Sequence, residues 1–244
     1  MRLLIVGGSG YVPGLVLPVL AEDHTVRVLD PRPPASRCEY VRGDATDYAS
    51  VRAALDGVDV VIHAAMGSHD ASDPARAASL FDVNVKSVHL TLLASHDAGI
   101  RHAVHLSSVS VYRNLDARTV DESVPPDADD SYGLSKRLGE EVCRAAAHRW
   151  PLSVNVLRLA FPTPDAIWPA WGFVDPPAVL RAADGRTIHA TAATDLARAV
   201  SAAIDYRDGY QVFIISGDQS VGLWSTAKAH RLLGWTPTFG PSGV

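Results

Sequence analysis

The chain of 244 residues is 47% hydrophobic and has a formal net charge of −5, from 22 lysine and arginine against 27 aspartate and glutamate residues. This length and composition suit one well-buried core, and scattered basic residues argue against a nucleic-acid surface. Cys38 and Cys143 lie far apart in no metal-like spacing, so we expect a reducing compartment and no metal. With no charged leader and no run of about 18 apolar residues, we expect a cytoplasmic protein without membrane contact.

Short apolar segments alternate with amphipathic ones through the first two-thirds of the chain. The apolar segments predict strands at 2–6, 24–30, 38–44, 58–65, 101–108 and 152–159. The amphipathic segments predict helices at 11–21, 49–55, 74–96 and 132–148. Such alternation predicts right-handed crossovers, and therefore a Rossmann-like α/β fold with a doubly wound parallel sheet.

The pattern changes after Leu159. The stretch FPTPDAIWPAWGFVDPP predicts a loop or a partly extended lobe, and helices near 194–204 and 224–233 and a strand near 210–215 follow it. We expect residues 1–160 to form the Rossmann domain. Residues 161–244 are expected to form a small substrate-binding lobe, interleaved with the last elements of that domain.

The ends of the predicted strands locate the candidate site. In a doubly wound sheet, ligands bind beyond the carboxyl ends of the strands. The residues at those ends are Gly7 to Gly10, Asp30, Asp44, Ala64 to His69, Ser107 with Ser108, and Phe161.

The first of these ends is a glycine-rich turn, GGSGYVPG at 7–14. Gly7 and Gly10 allow close approach of a pyrophosphate, and the N–H groups of Tyr11 and Val12 begin a helix whose N-terminus favours an anion. Pro13 stands where a third glycine is usual, but in the first helical turn its missing N–H would have had no helical partner. The turn therefore predicts a dinucleotide site, with an ordinary strand-to-helix loop as the alternative.

Asp30 ends the second predicted strand, roughly 20 residues beyond the turn, where a carboxylate accepts hydrogen bonds from an adenosine ribose. Because a carboxylate there repels a 2′-phosphate, we expect NAD rather than NADP. Arg32 could reach such a phosphate and keeps NADP open. An ordinary turn aspartate before Pro31 is the alternative interpretation.

The sequence Tyr132-Gly-Leu-Ser-Lys136 carries the predicted chemistry. Residues four apart share one face of a helix, so the Lys136 ammonium is expected beside the Tyr132 hydroxyl, where a cation favours the phenolate. Ser108, at the end of the fifth strand, can hydrogen-bond the same substrate oxygen. Together, the three predict an acid/base device that moves a proton on a hydroxyl or carbonyl.

The chain resembles the extended short-chain dehydrogenases/reductases of the NAD-dependent epimerase/dehydratase family, nearly from end to end. The segments that carry the resemblance are GGSGYVPG at 7–14, Asp30, GDATD at 43–47, VIHAAM at 61–66, FDVNVKSVHL at 81–90, HLSSVSVY at 105–112, YGLSK at 132–136, VLRL at 156–159, IHATAATDLARAV at 188–200 and KAHRLLGWTPTF at 228–239.

The resemblance implies roles for individual residues. Tyr132 would be the base, Lys136 would also hold the nicotinamide ribose, and Ser108 rather than Ser107 would be the catalytic serine. Asn84 would brace the catalytic region as part of the cofactor site. Five further residues would contact the adenine or line the cofactor: Asp44, Ala45, Ala64, Ala65 and Met66.

The departures from the family pattern bear on the substrate. Phe161 replaces an asparagine typical of members that act on nucleotide sugars, and the chain is shorter than such members, as in the uronate dehydrogenase branch. That branch offers an arginine for a carboxylate, for which Arg113 or Arg181 could serve. His69 could also touch substrate, although a polar loop is the alternative.

Trp168 and Trp171 could stack on a sugar ring or only cover the lobe's core. The apolar faces of 77–96 and 134–147 could pack against a second copy in a homodimer, although core packing explains them equally well.

These observations predict an NAD-dependent oxidoreductase that transfers hydride at a secondary alcohol or carbonyl of a small, sugar-like molecule. One alternative is a nucleotide-sugar epimerase or dehydratase with a reduced lobe. A dehydratase needs a further carboxylate pair beside the serine, which Val109-Ser110 does not provide. The other alternative, a non-catalytic regulator that senses NAD, is disfavoured because both Tyr132 and Lys136 are present.

Overall fold

A seven-stranded parallel sheet forms the centre of the computed structural model, which describes residues 1–68, 73–219 and 222–239. Its strands are β1 (Arg2–Val6), β2 (Thr25–Asp30), β3 (Glu39–Arg42), β4 (Val60–His63), β5 (His102–Ser108), β6 (Ser153–Ala160) and β11 (Tyr210–Ser216). Their order across the sheet is β11-β6-β5-β4-β1-β2-β3. The helices are α1 (Tyr11–Asp23), α2 (Tyr48–Ala54), α3 (Pro74–Phe81), α4 (Ser87–Asp97), α5 (Ser131–Arg149), α6 (Ala193–Asp205) and α7 (Ala227–Leu233).

The sheet is covered by helices on both faces, which explains why its central strands are continuous apolar runs. Leu3 and Ile5 of β1 pack with α1, α6 and α7, and Leu4 and Val6 of the same strand pack with α2 and α4. The predicted Rossmann-like α/β fold is confirmed. No helix in the described ranges is both long and apolar enough to cross a membrane.

The predicted helix 74–96 is interrupted. A π-helical turn at Asp82–Lys86 separates α3 from α4, and it carries the polar residue Asn84 into the protein interior. Such single π turns recur at functional sites. The insertion is invisible to a 3.6-residue periodicity, and for that reason the sequence predicted one continuous helix.

The segment after β6 forms two small sheets before the chain returns to the central one. Strand β7 (Pro162–Thr163) pairs in parallel with β10 (Thr191–Ala192), and β8 (Leu180–Arg181) pairs antiparallel with β9 (Thr187–Ile188). Strand β11 then lies beside β6 at the edge of the central sheet. Residues 161–192 therefore sit at the carboxyl end of β6.

Candidate active site

A cavity of about 580 Å³ opens at the carboxyl edge of the central sheet. Residues from every predicted strand end line it. The predicted residues in its wall are Gly7, Gly10, Tyr11, Val12, Asp30, Asp44, Ala45, Ala64, Ala65, Met66, Ser108, Tyr132, Lys136 and Phe161.

The glycine turn brings the backbone of β1 against the loop after β4. Gly7 has φ +81°, and a Cβ built there would lie 2.3 Å from the Cα of Ala65, so this position requires glycine. Gly10 precedes the first turn of α1, and Pro13 is buried in that turn while its ring lines the cavity. The first N–H groups of a helix have no partner within it. The turn therefore fits a group that carries phosphate, with Pro13 in place.

Asp30 is fixed at one end of the cavity. Its carboxylate accepts hydrogen bonds from the N–H of Ser9 at 3.1 Å and the N–H of Arg32 at 2.9 Å, and only 5% of the residue is exposed. The Arg32 guanidinium lies 3.9 Å from the same carboxylate, and 76% of its side chain is exposed. The Asp30 end of the cavity therefore has a buried carboxylate inside and the exposed Arg32 guanidinium at its rim.

Helix α5 begins at Ser131 because the Asp130 carboxylate caps it, accepting from the N–H groups of Tyr132 and Gly133 at 3.1 and 3.0 Å. A Cβ at Gly133 would lie 2.4 Å from the carbonyl oxygen of Ser110, so glycine lets the helix approach the loop after β5. This close approach brings the start of α5 to the Ser108 end of that strand.

The hydroxyl of Tyr132 lies 3.7 Å from the sulfur of Met66 and hydrogen-bonds Ser108. Burial raises the pKa of Tyr132 to about 12, an effect that Asp130 reinforces and the Ser108 hydrogen bond opposes. The sequence predicted that Lys136 would favour the phenolate. Removal of the hydroxyl from water dominates instead, and it favours the neutral phenol of Tyr132.

Lys136 is buried below Tyr132, and its ammonium donates to the carbonyl of Leu106 at 3.0 Å. Burial lowers the pKa of Lys136 to about 8, against the carboxylate of Glu140, which raises it. The ammonium thus donates to a backbone carbonyl, and the charge of the Glu140 carboxylate, one turn further along α5, favours its protonated form.

Glu140 and Arg158 form a buried ion pair at 2.6 Å beneath the cavity floor. Ser107 donates to Glu140 at 2.6 Å, so its hydroxyl is committed to this pair. Ser108 instead accepts from the N–H of Ser110 at 3.1 Å and contacts Tyr132. The two adjacent serines have different surroundings, which supports the choice of Ser108 over Ser107.

Asn84 lies behind the cavity wall and does not line it. Its side chain accepts from the N–H of Gly67 at 2.9 Å and donates to Ser135 at 2.9 Å, so it links the loop after β4 to α5. This position suits the bracing role that the resemblance implies.

Arg113 lines a second, open cavity that shares Ser110 and Tyr132 with the first. Its guanidinium is paired with Asp129 at 2.9 Å. Arg181, the other candidate partner for a carboxylate, donates to the carbonyl of Gly185 at 3.0 Å. His69 lies outside the described residues.

The aromatic side of the cavity was largely missed by sequence reasoning. Trp171 and Phe173 both line it, whereas Trp168 donates to the carbonyl of Ala190 at 2.8 Å and packs on His189 in the lobe. The sequence did not show which of Trp168 and Trp171 faces the cavity and which covers the core of the lobe. The sequence did not identify Phe173 as a site residue, because its segment has no helical or strand periodicity.

His63 and His105, in the central strands, are buried core residues. His63 contacts Ser87 at 2.8 Å through Nε2 and His105 at 3.2 Å through Nδ1. Burial, together with the charge of Lys136, lowers the pKa of His63 to about 3. Within the described ranges, no group of three or more His, Cys, Asp and Glu side chains could hold a metal ion.

Residues 3–162 match the NAD dependent epimerase/dehydratase family. The chain is 31% identical over 160 residues to N-acetyl-alpha-D-glucosaminyl-diphospho-ditrans,octacis-undecaprenol 4-epimerase of Escherichia coli O157:H7, covering 64% of this chain and 47% of that protein. The chain spans about half the length, or less, of the first curated relatives it matches. The matched regions cover 39%, 47% and 49% of those three proteins.

Solved structures share the fold over almost the whole chain. A short-chain dehydrogenase/reductase superfamily protein from Agrobacterium tumefaciens, with bound NAD, has a TM-score of 0.82 at 22% identity, covering 98% of this chain and 93% of that one. Glucuronic acid dehydrogenase from Chromohalobacter salexigens has a TM-score of 0.79 at 22% identity, covering 98% of this chain and 84% of that one. The sequence motifs, the sheet order and the family match agree: this chain belongs to the NAD dependent epimerase/dehydratase family.

Proposed function

We propose that the protein is an NAD-dependent oxidoreductase that acts at a secondary alcohol or carbonyl of a small, sugar-like substrate. The observation that carries this proposal is the convergence of Ser108, Tyr132 and Lys136 with the Gly7 turn and Asp30 in one cavity. NAD, when bound, supplies the acceptor or donor of hydride.

The cavity contains groups suited to each part of such a cofactor. The Gly7–Gly10 turn and the start of α1 would hold the pyrophosphate, and Asp30 would accept hydrogen bonds from the adenosine ribose. Lys136 would hold the nicotinamide ribose. The remaining proposed contacts are Asp44, Ala45, Ala64, Ala65 and Met66.

Tyr132 would move the substrate proton. As the neutral phenol it can donate a proton to a carbonyl oxygen during reduction, and for oxidation it must first lose that proton. Ser108, which already hydrogen-bonds Tyr132, would hold the same substrate oxygen. The rates of oxidation and reduction therefore depend differently on pH, through the protonation state of one hydroxyl.

The direct test is NADH formation by purified protein mixed with NAD and a panel of free aldoses, uronates and polyols. Tyr132→Phe should lower turnover by about 10²–10⁴-fold while NAD binding is kept. Tyr206→Phe is the matched control, because its hydroxyl contacts Asp208 on the surface, and it should retain full activity. Equal activity of Tyr132→Phe and the wild type would contradict the proposal.

Three further proposals, on the substrate lobe, the cellular location and the oligomeric state, accompany this function. Residues 161–244 would supply the substrate lobe. The free cysteines Cys38 and Cys143 support a cytoplasmic location.

A homodimer would pair α4 and α5 with their copies, and the exposed Leu138 on α5 supports this arrangement. Sedimentation of the wild type and of Leu138→Glu would test it, since a charge in that interface should give monomers.

A further inference from the structure

One wall of the cavity is made of aromatic rings. Phe173 stacks on Trp171 at 5.5 Å between ring centroids, Phe161 meets Trp171 edge-on at 5.4 Å, and Tyr11 meets Phe173 edge-on at 5.3 Å. All four rings line the cavity, and together they are called the aromatic wall. Their contacts with one another give the cavity a continuous apolar surface.

The aromatic wall is anchored in the protein. The ring of Phe161 packs on buried Trp224 at 5.6 Å, and the Tyr11 hydroxyl donates to the carbonyl of Pro162 at 3.2 Å. Phe173 is the most open member, with 40% of the residue exposed. The wall therefore offers a preformed surface for packing against a ligand.

The wall stands beside the catalytic serine. Ser108 at the end of β5 is paired with Leu159 of β6, and Phe161 follows Leu159 by two residues. A substrate whose oxygen reaches Ser108 and Tyr132 must therefore place its body close to Phe161 and Trp171.

Cations are scarce on this side of the cavity. Among the described residues in its lining, the cations are Arg32, which lies beside Asp30 at the other end, and Lys136, which is buried and donates to the carbonyl of Leu106. Arg113 lies in the neighbouring cavity and is paired with Asp129. A substrate carboxylate or phosphate placed against Phe161 and Trp171 would lose water without gaining an opposite charge, which is costly.

We infer that the protein selects an uncharged, ring-bearing alcohol or ketone whose apolar face packs on the aromatic wall. Trp171 is the specificity-determining residue, since it contacts both Phe161 and Phe173. The same wall disfavours sugar acids and sugar nucleotides. This inference rests on the proposed function, because it places the reacting oxygen at Ser108 and Tyr132.

The test uses pairs of rings that differ by one charge. D-glucose is compared with D-glucuronate, and D-galactose with D-galacturonate, while cyclohexanol represents a ring with little polarity. Each is titrated calorimetrically into the protein with and without NAD. We expect a neutral ring to bind at least about tenfold more tightly than either uronate. A uronate that binds as tightly as the neutral rings, or failure of every neutral ring to bind, would overturn the inference.

Variants of Trp171 provide a readout that does not depend on turnover. Trp171→Ala should weaken binding of the neutral ring about tenfold, and Trp171→Phe, which keeps an aromatic face, should restore most of it. Trp150→Phe is the control, because Trp150 stacks on His96, and it should keep wild-type affinity. Equal affinities of Trp171→Ala and the wild type would remove Trp171 from the proposal.

Failures of the two proposals give different results. If NAD binds and a uronate is the preferred ligand, the substrate inference fails and the oxidoreductase proposal stands. If neither NAD nor NADP binds, while neutral rings still bind in the calorimeter and Trp171→Ala weakens that binding, the oxidoreductase proposal fails and the inferred preference for neutral rings stands.

Discussion

Tyr132 and Lys136 share one face of α5, but they differ in what holds them: the Tyr132 hydroxyl contacts Ser108 and Met66, and the Lys136 ammonium donates to the carbonyl of Leu106. Burial raises the pKa of the phenol to about 12 and lowers that of the ammonium to about 8. The raised pKa therefore keeps Tyr132 protonated near neutral pH, so that it can act as an acid.

This protonation state predicts different pH dependence for the two directions of reaction. Below the pKa of Tyr132, the phenolate fraction rises about tenfold per pH unit. Between about pH 6 and 7.5, below the Lys136 pKa, kcat/KM for oxidation should therefore increase with pH. Reduction needs the protonated hydroxyl, so it should stay level over that range. Initial rates measured in both directions test this prediction. A rate of reduction that falls steeply over the same pH range would contradict it.

The glycine turn predicts opposite effects for two similar substitutions. Gly7→Ala puts a Cβ 2.3 Å from the Ala65 backbone at φ +81°, and should cost about 3 kcal/mol or more of unfolding free energy. Gly14→Ala, one turn into α1, meets no atom within 4 Å and should stabilise by roughly 1 kcal/mol. Denaturant unfolding measures both. A Gly7→Ala protein as stable as Gly14→Ala would show that the close contact with Ala65 is absent.

Phe161 adopts a backbone conformation that is unusual for a bulky residue, with φ +46°. Asparagine, the residue typical of nucleotide-sugar enzymes here, tolerates this left-handed region better. Phe161→Ala and Phe161→Gly both remove the ring, but only glycine relieves the backbone. The glycine variant should therefore be more stable than the alanine variant by about 1 kcal/mol, whereas alanine is usually the more stabilising of the two residues. Thermal unfolding of the two variants compares them directly, and higher stability of the alanine variant would argue against the left-handed backbone.

The buried histidines predict loss of stability in mild acid. His63 has a folded-state pKa of about 3, lowered from 6.5 by burial, so the unfolded chain binds more protons between those values. Stability is therefore fully present above about pH 6.5 and falls as the pH drops through this window; the lowered pKa values of His102 and His105 act in the same direction.

His63→Gln should reduce the slope of unfolding free energy against pH between about 6.5 and 5, where most carboxylates remain ionised. His148→Gln is the control, because His148 is exposed in the last turn of α5, and it should leave the slope unchanged. Chemical denaturation at constant ionic strength measures these slopes, and identical slopes for wild type and His63→Gln would count against a neutral, buried His63.

Much of the fold could be predicted from the sequence, because the parallel strands are short apolar runs between amphipathic helices. The strand-end rule then located Asp30, Ser108 and Phe161 at one cavity from their positions alone. Local patterns were sufficient wherever a residue's place depends on its own strand or helix.

The rest depends on contacts between distant segments. The π-helical turn at Asp82–Lys86 adds a residue that periodicity cannot reveal. The position of Phe173 follows from the packing of an irregular segment on Tyr11, some 160 residues earlier in the chain. The raised pKa of Tyr132 reflects burial in the assembled cavity, and sequence spacing showed only the nearby lysine.

The central claim is that the cavity above β1 and β2 holds NAD. Calorimetric titration of the purified protein with NAD and NADP tests it most directly, after any cofactor that co-purifies has been removed. We expect one NAD per chain, with weaker binding of NADP because the Asp30 carboxylate repels the 2′-phosphate. Binding of neither dinucleotide would contradict the account, and the roles proposed for Tyr132 and Lys136 would fall with it.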